Sequence, residues 1–230
     1  MALEILRKIF IFFSVILLAV IIIFMPLLVN INNCSFYEKL YVKNGVFEYL
    51  SQEDARSITK QVMTFFKHHG ELEEIELDSD IAYFQENEKS HLLDVRELLD
   101  KIYVLFYLSL FGFFLFVILI FKGDLWDYFR KIAVVLISAS ALVLVLLAVL
   151  YILANNFTGL FTDFHLVFFP QGNWAFPNDA LIINIFPFGF FYDFFLRLVL
   201  SSFVMSVSLL MTGVVFLIIK KKVYLKKERK

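Results

Sequence analysis

Two histidines with carboxylates beside them are the groups in this sequence best suited to move a proton. His91 lies three residues before Asp94 in ENEKSHLLDVRELLD, residues 86–100, and His165 follows Asp163 by two residues in FTDFHLVFF. Histidine is the side chain whose ordinary titration falls nearest neutral pH, so it can take a proton and return it. Three residues are about one helical turn, which brings the Asp94 carboxylate within reach of the His91 ring and would fix its tautomer. An i,i+3 pair on a surface is usually only that, so spacing alone does not make a site. His68 and His69 fall where a helix is expected to end, and partial positive charge is welcome there without any chemistry. Cys34 is the single cysteine and has no base near it in sequence; it cannot form an internal disulfide, and we read it as incidental.

The elements that position these groups follow from hydropathy. Hydrophobic residues make up 60% of the 230, and thirty are Phe, more apolar surface than a soluble domain of this length can hide. Crossing a bilayer takes about 20 apolar residues, and four segments suffice: Ile9–Val29, Ile102–Phe121, Ile132–Ala154 and Leu198–Ile219, the last with a possible start near Phe186. The first is too long for a typical signal-peptide core and no small-x-small site follows it, so an uncleaved helix is expected. Basic residues sit at Arg7 and Lys8, at Lys122, Arg130 and Lys131, and in the tail KKKVYLKKERK, whereas 155–196 has no Lys or Arg. By the positive-inside rule both termini face the cytoplasm. The expected organisation is a first span in 1–29, an extracellular domain in 30–101, two spans in 102–154 around a cytoplasmic loop 122–131, an extracellular aromatic loop in 155–197, a fourth span in 198–219 and a basic tail in 220–230. The tail reads as a topology anchor on anionic lipid, not a nucleic-acid arm.

Within 30–101, fifteen acidic residues face eight basic ones. SQEDARSITKQVMTFFKHHG predicts a helix capped by Ser51, with Ala55, Ile58, Val62 and Phe65/Phe66 at helical spacing and Gly70 as its stop. Leu72, Ile75 and Leu77 alternate in an acidic loop or short strand. From Asn87 a second helix should run unbroken into the second span, placing His91 on the order of 15 Å above the apolar boundary at the helical rise. The 155–195 segment, dense in Phe and broken by Pro170, Pro177 and Pro187, is neither a span nor an ordinary solvated loop. It fits a re-entrant or interfacial segment with its aromatics at the acyl boundary. His165 within it is either an interfacial belt residue or a functional group, and Asn173 and Trp174 follow eight and nine residues on.

The block EKSHLLDVRELL before the second span, the later FTDFHLVFFPQGNWAFPNDALIINIFPFGFF and the four-span layout together resemble the lipoprotein intramolecular transacylase (Lit) family of Gram-positive integral membrane proteins. The matching positions are Glu88, His91, Leu92, Asp94 and Val95, then Phe164, His165, Phe168, Phe169, Trp174, Phe176, Pro187, Phe190 and Phe191; Asn173 sits directly before Trp174, where the family places its Asn or Asp a residue or so away. The resemblance implies an all-α protein of the bacterial cell membrane that acts at the outer leaflet as a monomer without metal or cofactor. Its substrate would be a diacylglyceryl-modified lipoprotein, and one acyl chain would move from the sn-2 oxygen to the α-amino group of the N-terminal cysteine. In that chemistry His91 would serve as general acid/base with Asp94 as its orienter. His165, with Asn173, would stabilise the oxyanion or position the amine. Trp174, Phe168 and the other aromatics would hold acyl chains, and Arg197, four residues after Asp193, would pair structurally or contact lipid. Two rivals stay open: a metal-dependent membrane hydrolase using His91, Asp94, His165 and Asp163, and a non-catalytic membrane partner protein. A transporter fits least, because the spans carry little polarity beyond Ser and Thr.

Overall fold

A computed structural model describes residues 2–73, 75, 77, 82–121 and 123–228, with backbone alone for 220–228. Lys122, most of the acidic run 74–81 and the last two residues of the basic tail lie outside the described residues, and the tail's cationic side chains with them. The helices are α1 (Ala2–Asn30), α2 (Cys34–Lys43), α3 (Gln52–His68), α4 (Glu86–Ile120), α5 (Leu125–Leu153), α6 (Phe157–Phe168), α7 (Leu181–Ile185) and α8 (Phe188–Glu228), with 3-10 turns at Val46–Glu48 and Ala154–Asn156. No strand occurs among the described residues, and Leu72, Ile75 and Leu77 lie in loop, packed on an apolar core.

Local chemistry explains the helix ends. Ser51 caps α3 by accepting from the Asp54 N–H at 3.0 Å. The helix stops at His69, which takes the left-handed conformation at φ 53; Gly70, the expected stop, comes one residue later. The side chains of Asn33 and Asn156 accept from the N–H groups of Phe36 and Gly159 and so cap α2 and α6. At the start of α4, the Glu88 carboxylate reaches back to the Gln85 N–H at 2.7 Å, the N3-to-N-cap half of a capping box. From there α4 runs 35 residues without interruption.

The chain divides into two compact units. The first comprises Met1–Pro26, Val104–Ile152 and Leu198–Lys230. Four helical stretches that contribute to it are long and apolar enough to cross a membrane. Leu18, Ala19 and Ile22 of α1 form its core with Val135, Leu136, Ala139, Val143 and Leu147 of α5. Lipid tails are as apolar as leucine, so such helices associate through close packing. Gly213 of α8 permits it, since a Cβ there would lie 2.8 Å from Ile137 Cγ1 and 3.1 Å from the Ala133 carbonyl oxygen. Arg7 is buried and donates to the carbonyl of Ile120, the last residue of α4, at 2.9 Å, where a cation satisfies an orphan acceptor. Phe111, Ile118, Val145 and Phe203 remain exposed, as lipid-facing positions require.

The second unit comprises Leu27–Tyr103 and Leu153–Arg197. The two segments expected as a separate domain and loop share one core. Tyr37, Leu40 and Tyr41 of α2, Ala55, Ile58 and Val62 of α3, Leu92 of α4, and Leu181, Ile185, Phe186 and Phe190 pack together. What the sequence presented as an aromatic loop is mostly helix: α6, α7 and the first turns of α8. Burial pushes the Tyr37 and Tyr41 phenols well above their ordinary range. Both stay neutral, and Tyr41 shares a 2.6 Å hydrogen bond with Thr59. Asp193 ties α8 to α2, accepting from Lys43 at 2.6 Å and Asn44 at 3.0 Å.

Candidate active site

Within the second unit, α4 and α6 bring His91 and His165 together. Both are buried, at 6% and 7% exposure, and their rings stack with centroids 5.9 Å apart and planes inclined by 27°. Five aromatic side chains surround them, among them Phe164, edge-on to His165 at 5.4 Å. Phe169 lies edge-on to His91 at 4.9 Å and 5.6 Å from His165, Phe176 is 5.7 Å from His91, Phe161 is 4.2 Å from His165, and Trp174 is 4.9 Å from His165. Two imidazoles this close and this dry cannot both be charged cheaply, because each charge would lose water and repel the other.

Hydrogen bonds settle the tautomer of one ring. His165 Nδ1 stands 2.7 Å from the Phe161 carbonyl oxygen, one turn back along α6. A carbonyl only accepts, so Nδ1 carries the hydrogen and the neutral ring has its lone pair on Nε2. Neutral His165 is therefore a proton acceptor at Nε2. The expected donor role toward an oxyanion does not fit this tautomer. His91 Nδ1 is buried with no hydrogen-bond partner among the described residues.

The carboxylates are placed differently from expectation. Asp94 Oδ2 accepts from Asn173 Nδ2 at 2.6 Å and Gln171 Nε2 at 2.7 Å. Asp94 is near enough to His91 to act on it through space, but no hydrogen bond joins them. It orients the Asn173 amide, which lies next to the His91 ring and also reaches Ser90 Oγ at 3.3 Å. Asp163 is exposed and makes no hydrogen bond to His165; residues two apart on a helix point to different sides. The ligand set His91, Asp94, His165 and Asp163 does not converge, and no other group of three such side chains forms a metal site among the described residues.

Phe168 is 49% exposed and packs 4.8 Å from Phe164, away from the imidazoles, while its neighbour Phe169, 2% exposed, touches both. Arg197 is not paired with Asp193, whose oxygens go to Lys43 and Asn44. It donates from Nε to Asn30 Oδ1 at 3.5 Å and lies 5.8 Å over the Phe36 ring.

Sequence reasoning missed two contributors and named a third, Glu88, without giving it a role. Gln171 carries no signal beyond its closeness to Asn173. The Phe161 carbonyl is backbone and leaves no trace in residue type. Glu88 was legible, one turn before His91 and three residues into a helix. At 2% exposure its Oε1 accepts from the Ile182 N–H at 2.8 Å while Oε2 caps α4, so one carboxylate joins the start of α7 to the start of the helix that carries His91.

Comparison with known proteins agrees with this architecture. A search of curated sequences gives no match. Among solved structures, the membrane-integral lipoprotein intramolecular transacylase Lit from Bacillus cereus superposes with a TM-score of 0.73 at 15% identity, covering 94% of this chain and 98% of its own. A variant of that protein with one histidine changed to arginine gives 0.74 at 16% identity, covering 95% of each chain. At such identities the likeness carries the fold. Residues 10–191 match the family model for lipoprotein intramolecular transacylase Lit, most of the chain's length. An all-helical membrane-integral protein with two buried imidazoles in contact, this chain belongs to the lipoprotein intramolecular transacylase family, Lit.

Proposed function

We propose that this enzyme moves the sn-2 acyl chain of an S-diacylglyceryl lipoprotein to the α-amino group of the same N-terminal cysteine, leaving an N-acyl, lyso-form product. The observation that carries the reading is the buried pair of imidazoles, with His165 held by the Phe161 carbonyl in the tautomer that accepts a proton. Aminolysis of an ester needs a deprotonated amine and a protonated alkoxide leaving group. His165 Nε2 takes the proton from the attacking nitrogen, and the imidazole pair returns it to the glycerol oxygen, with His91 as the second ring on that path. No proton is gained or lost overall. Amine and ester belong to one molecule, so no enzyme nucleophile is needed, and well-oriented intramolecular reactions gain up to roughly 7–11 kcal/mol from proximity.

Asp94 is a positioning residue in this reading. It fixes Asn173 and Gln171 at the rim of the site, and through Asn173 the environment of His91. The exposed apolar side chains of α6, Leu166, Val167 and Phe168 among them, are suited to acyl chains at the membrane boundary. Arg197 is assigned to structure. Both termini are placed in the cytoplasm and the site at the outer leaflet, which rests on the charge asymmetry of the connecting segments. The test is mass spectrometry of a lipoprotein's N-terminal peptide from a host that lacks N-acylation, with and without this gene. Expression should shift one acyl chain from glycerol to nitrogen at unchanged total mass. An unchanged ester pattern rejects transfer, and a net loss of one acyl mass indicates a lipase.

A further inference from the structure

Asp94 and the histidines leave one strong polar group of the site without employment. Trp174 Nε1 is buried and has no hydrogen-bond partner among the described residues, although its ring lies 4.9 Å from that of His165. An indole N–H can only donate, and leaving it buried and unpaired costs free energy that folding does not recover. Such a donor calls for an acceptor that arrives from outside the chain. Neutral His165 does not meet that need: its Nδ1 carries the hydrogen given to the Phe161 carbonyl, and no hydrogen bond joins Trp174 Nε1 to the lone pair on Nε2, which stays open for a proton. The other unpartnered buried atoms here, Asn173 Oδ1 and His91 Nδ1, complement it. The Asn173 oxygen is acceptor-only, and His91 Nδ1 accepts in one tautomer of the neutral ring, so both suit a group rich in N–H.

We propose that Trp174 is a catalytic residue whose indole N–H stabilises the tetrahedral oxyanion of acyl transfer, while Asn173 Oδ1 accepts from the attacking α-amino group; this rests on the transfer reading above. The amine nitrogen bonds to the ester carbonyl carbon, and the carbonyl π pair moves onto oxygen, where Trp174 Nε1–H meets the new negative charge. The amine proton passes to His165 Nε2. The carbon–glycerol oxygen bond then breaks, the oxyanion pair re-forms the carbonyl as an amide, and the glycerol oxygen takes the proton. The Asp94 carboxylate secures Asn173 Nδ2 at 2.6 Å and thereby fixes which way its oxygen faces, beside the His91 ring.

The experiment replaces Trp174 with Phe, and separately with β-(3-benzothienyl)alanine, which keeps the bicyclic shape and substitutes sulfur for N–H. Both are assayed in detergent against a synthetic S-diacylglyceryl lipopeptide beside the parent enzyme. Loss of one oxyanion donor lowers kcat by roughly 10²- to 10³-fold, so both variants should show that drop with KM within about threefold. The benzothienyl variant should melt no lower than the parent, because an orphan buried donor has been removed. If it retains the parent's kcat, or if KM alone rises, the assignment is overturned. A parent enzyme that hydrolyses the ester without forming N-acyl product overturns the transfer reading itself, and this assignment with it; an active parent with unaffected variants overturns only the role of Trp174.

Discussion

Replacing Glu88 with alanine should loosen the enzyme at the point where its site is anchored. The carboxylate is 2% exposed and satisfies two backbone donors, Gln85 N–H at 2.7 Å and Ile182 N–H at 2.8 Å. An orphaned buried donor costs about 1–3 kcal/mol, so losing both partners costs roughly 2–6 kcal/mol, and about 4 is a fair centre. For a chain of this size each kcal/mol moves the melting temperature by about 2–4 °C, which predicts a drop on the order of 10 °C. Glu88→Gln keeps one accepting oxygen but turns an N–H toward the other donor, so it should fall between the parent and alanine. The assay is thermal unfolding in detergent, with amide hydrogen exchange at Ile182 as the local readout: the alanine variant should exchange there faster by the same free energy. A Glu88→Ala protein that melts within about 2 °C of the parent, or whose Ile182 amide stays protected, would refute the view that this carboxylate pins α7 to α4.

Other consequences can be checked with the same material. Asp94→Ala releases the Asn173 and Gln171 amides and should lower turnover by about a hundredfold, the usual penalty for a roughly 1 Å misplacement, with little change in melting. Phe169→Ala should cost about 3–5 kcal/mol, as for a buried aromatic, and disturb both imidazoles, whereas Phe168→Ala should stay within about 0.5 kcal/mol; equal melting shifts for the two would contradict their opposite burial. In the proposed transfer the reactive forms are the neutral imidazole and the neutral α-amine, and such an amine titrates near ~8. Turnover should therefore rise as pH climbs through neutrality and level above about 8; a rate that peaks in acid would require a protonated catalyst instead.

Much of the architecture was legible because bilayers impose long apolar runs, and four such runs are present. The unbroken passage from Asn87 into the second span was readable from the helical spacing of Leu92, Leu99 and their neighbours. The choice of partners was not. Asp94 is one turn from His91, yet amides contributed from 77 and 79 residues further along the chain take its oxygen. Proximity on one helix sets who can meet, and tertiary packing sets who does. Asp163 misleads for a simpler reason, since an i,i+2 neighbour on a helix faces away. Arg197 and Asp193 sit at favourable i,i+4 spacing but part because Lys43 and Asn44 hold the carboxylate. The step from Phe168 to Phe169 marks the end of α6, a boundary that aromatic composition cannot locate, and it decides which ring touches both histidines.

In the proposed mechanism the two histidines carry the proton of acyl transfer. That role is tested most directly by incubating purified parent, His91→Ala and His165→Ala enzymes with a synthetic S-diacylglyceryl lipopeptide and locating the acyl chains by tandem mass spectrometry, after each variant is shown to melt cooperatively. The parent should convert ester to amide at constant mass, and His165→Ala, lacking the acceptor at Nε2, should leave both ester chains on glycerol, as should His91→Ala to within trace conversion. N-acyl product formed at the parent's rate by either folded variant would contradict the account.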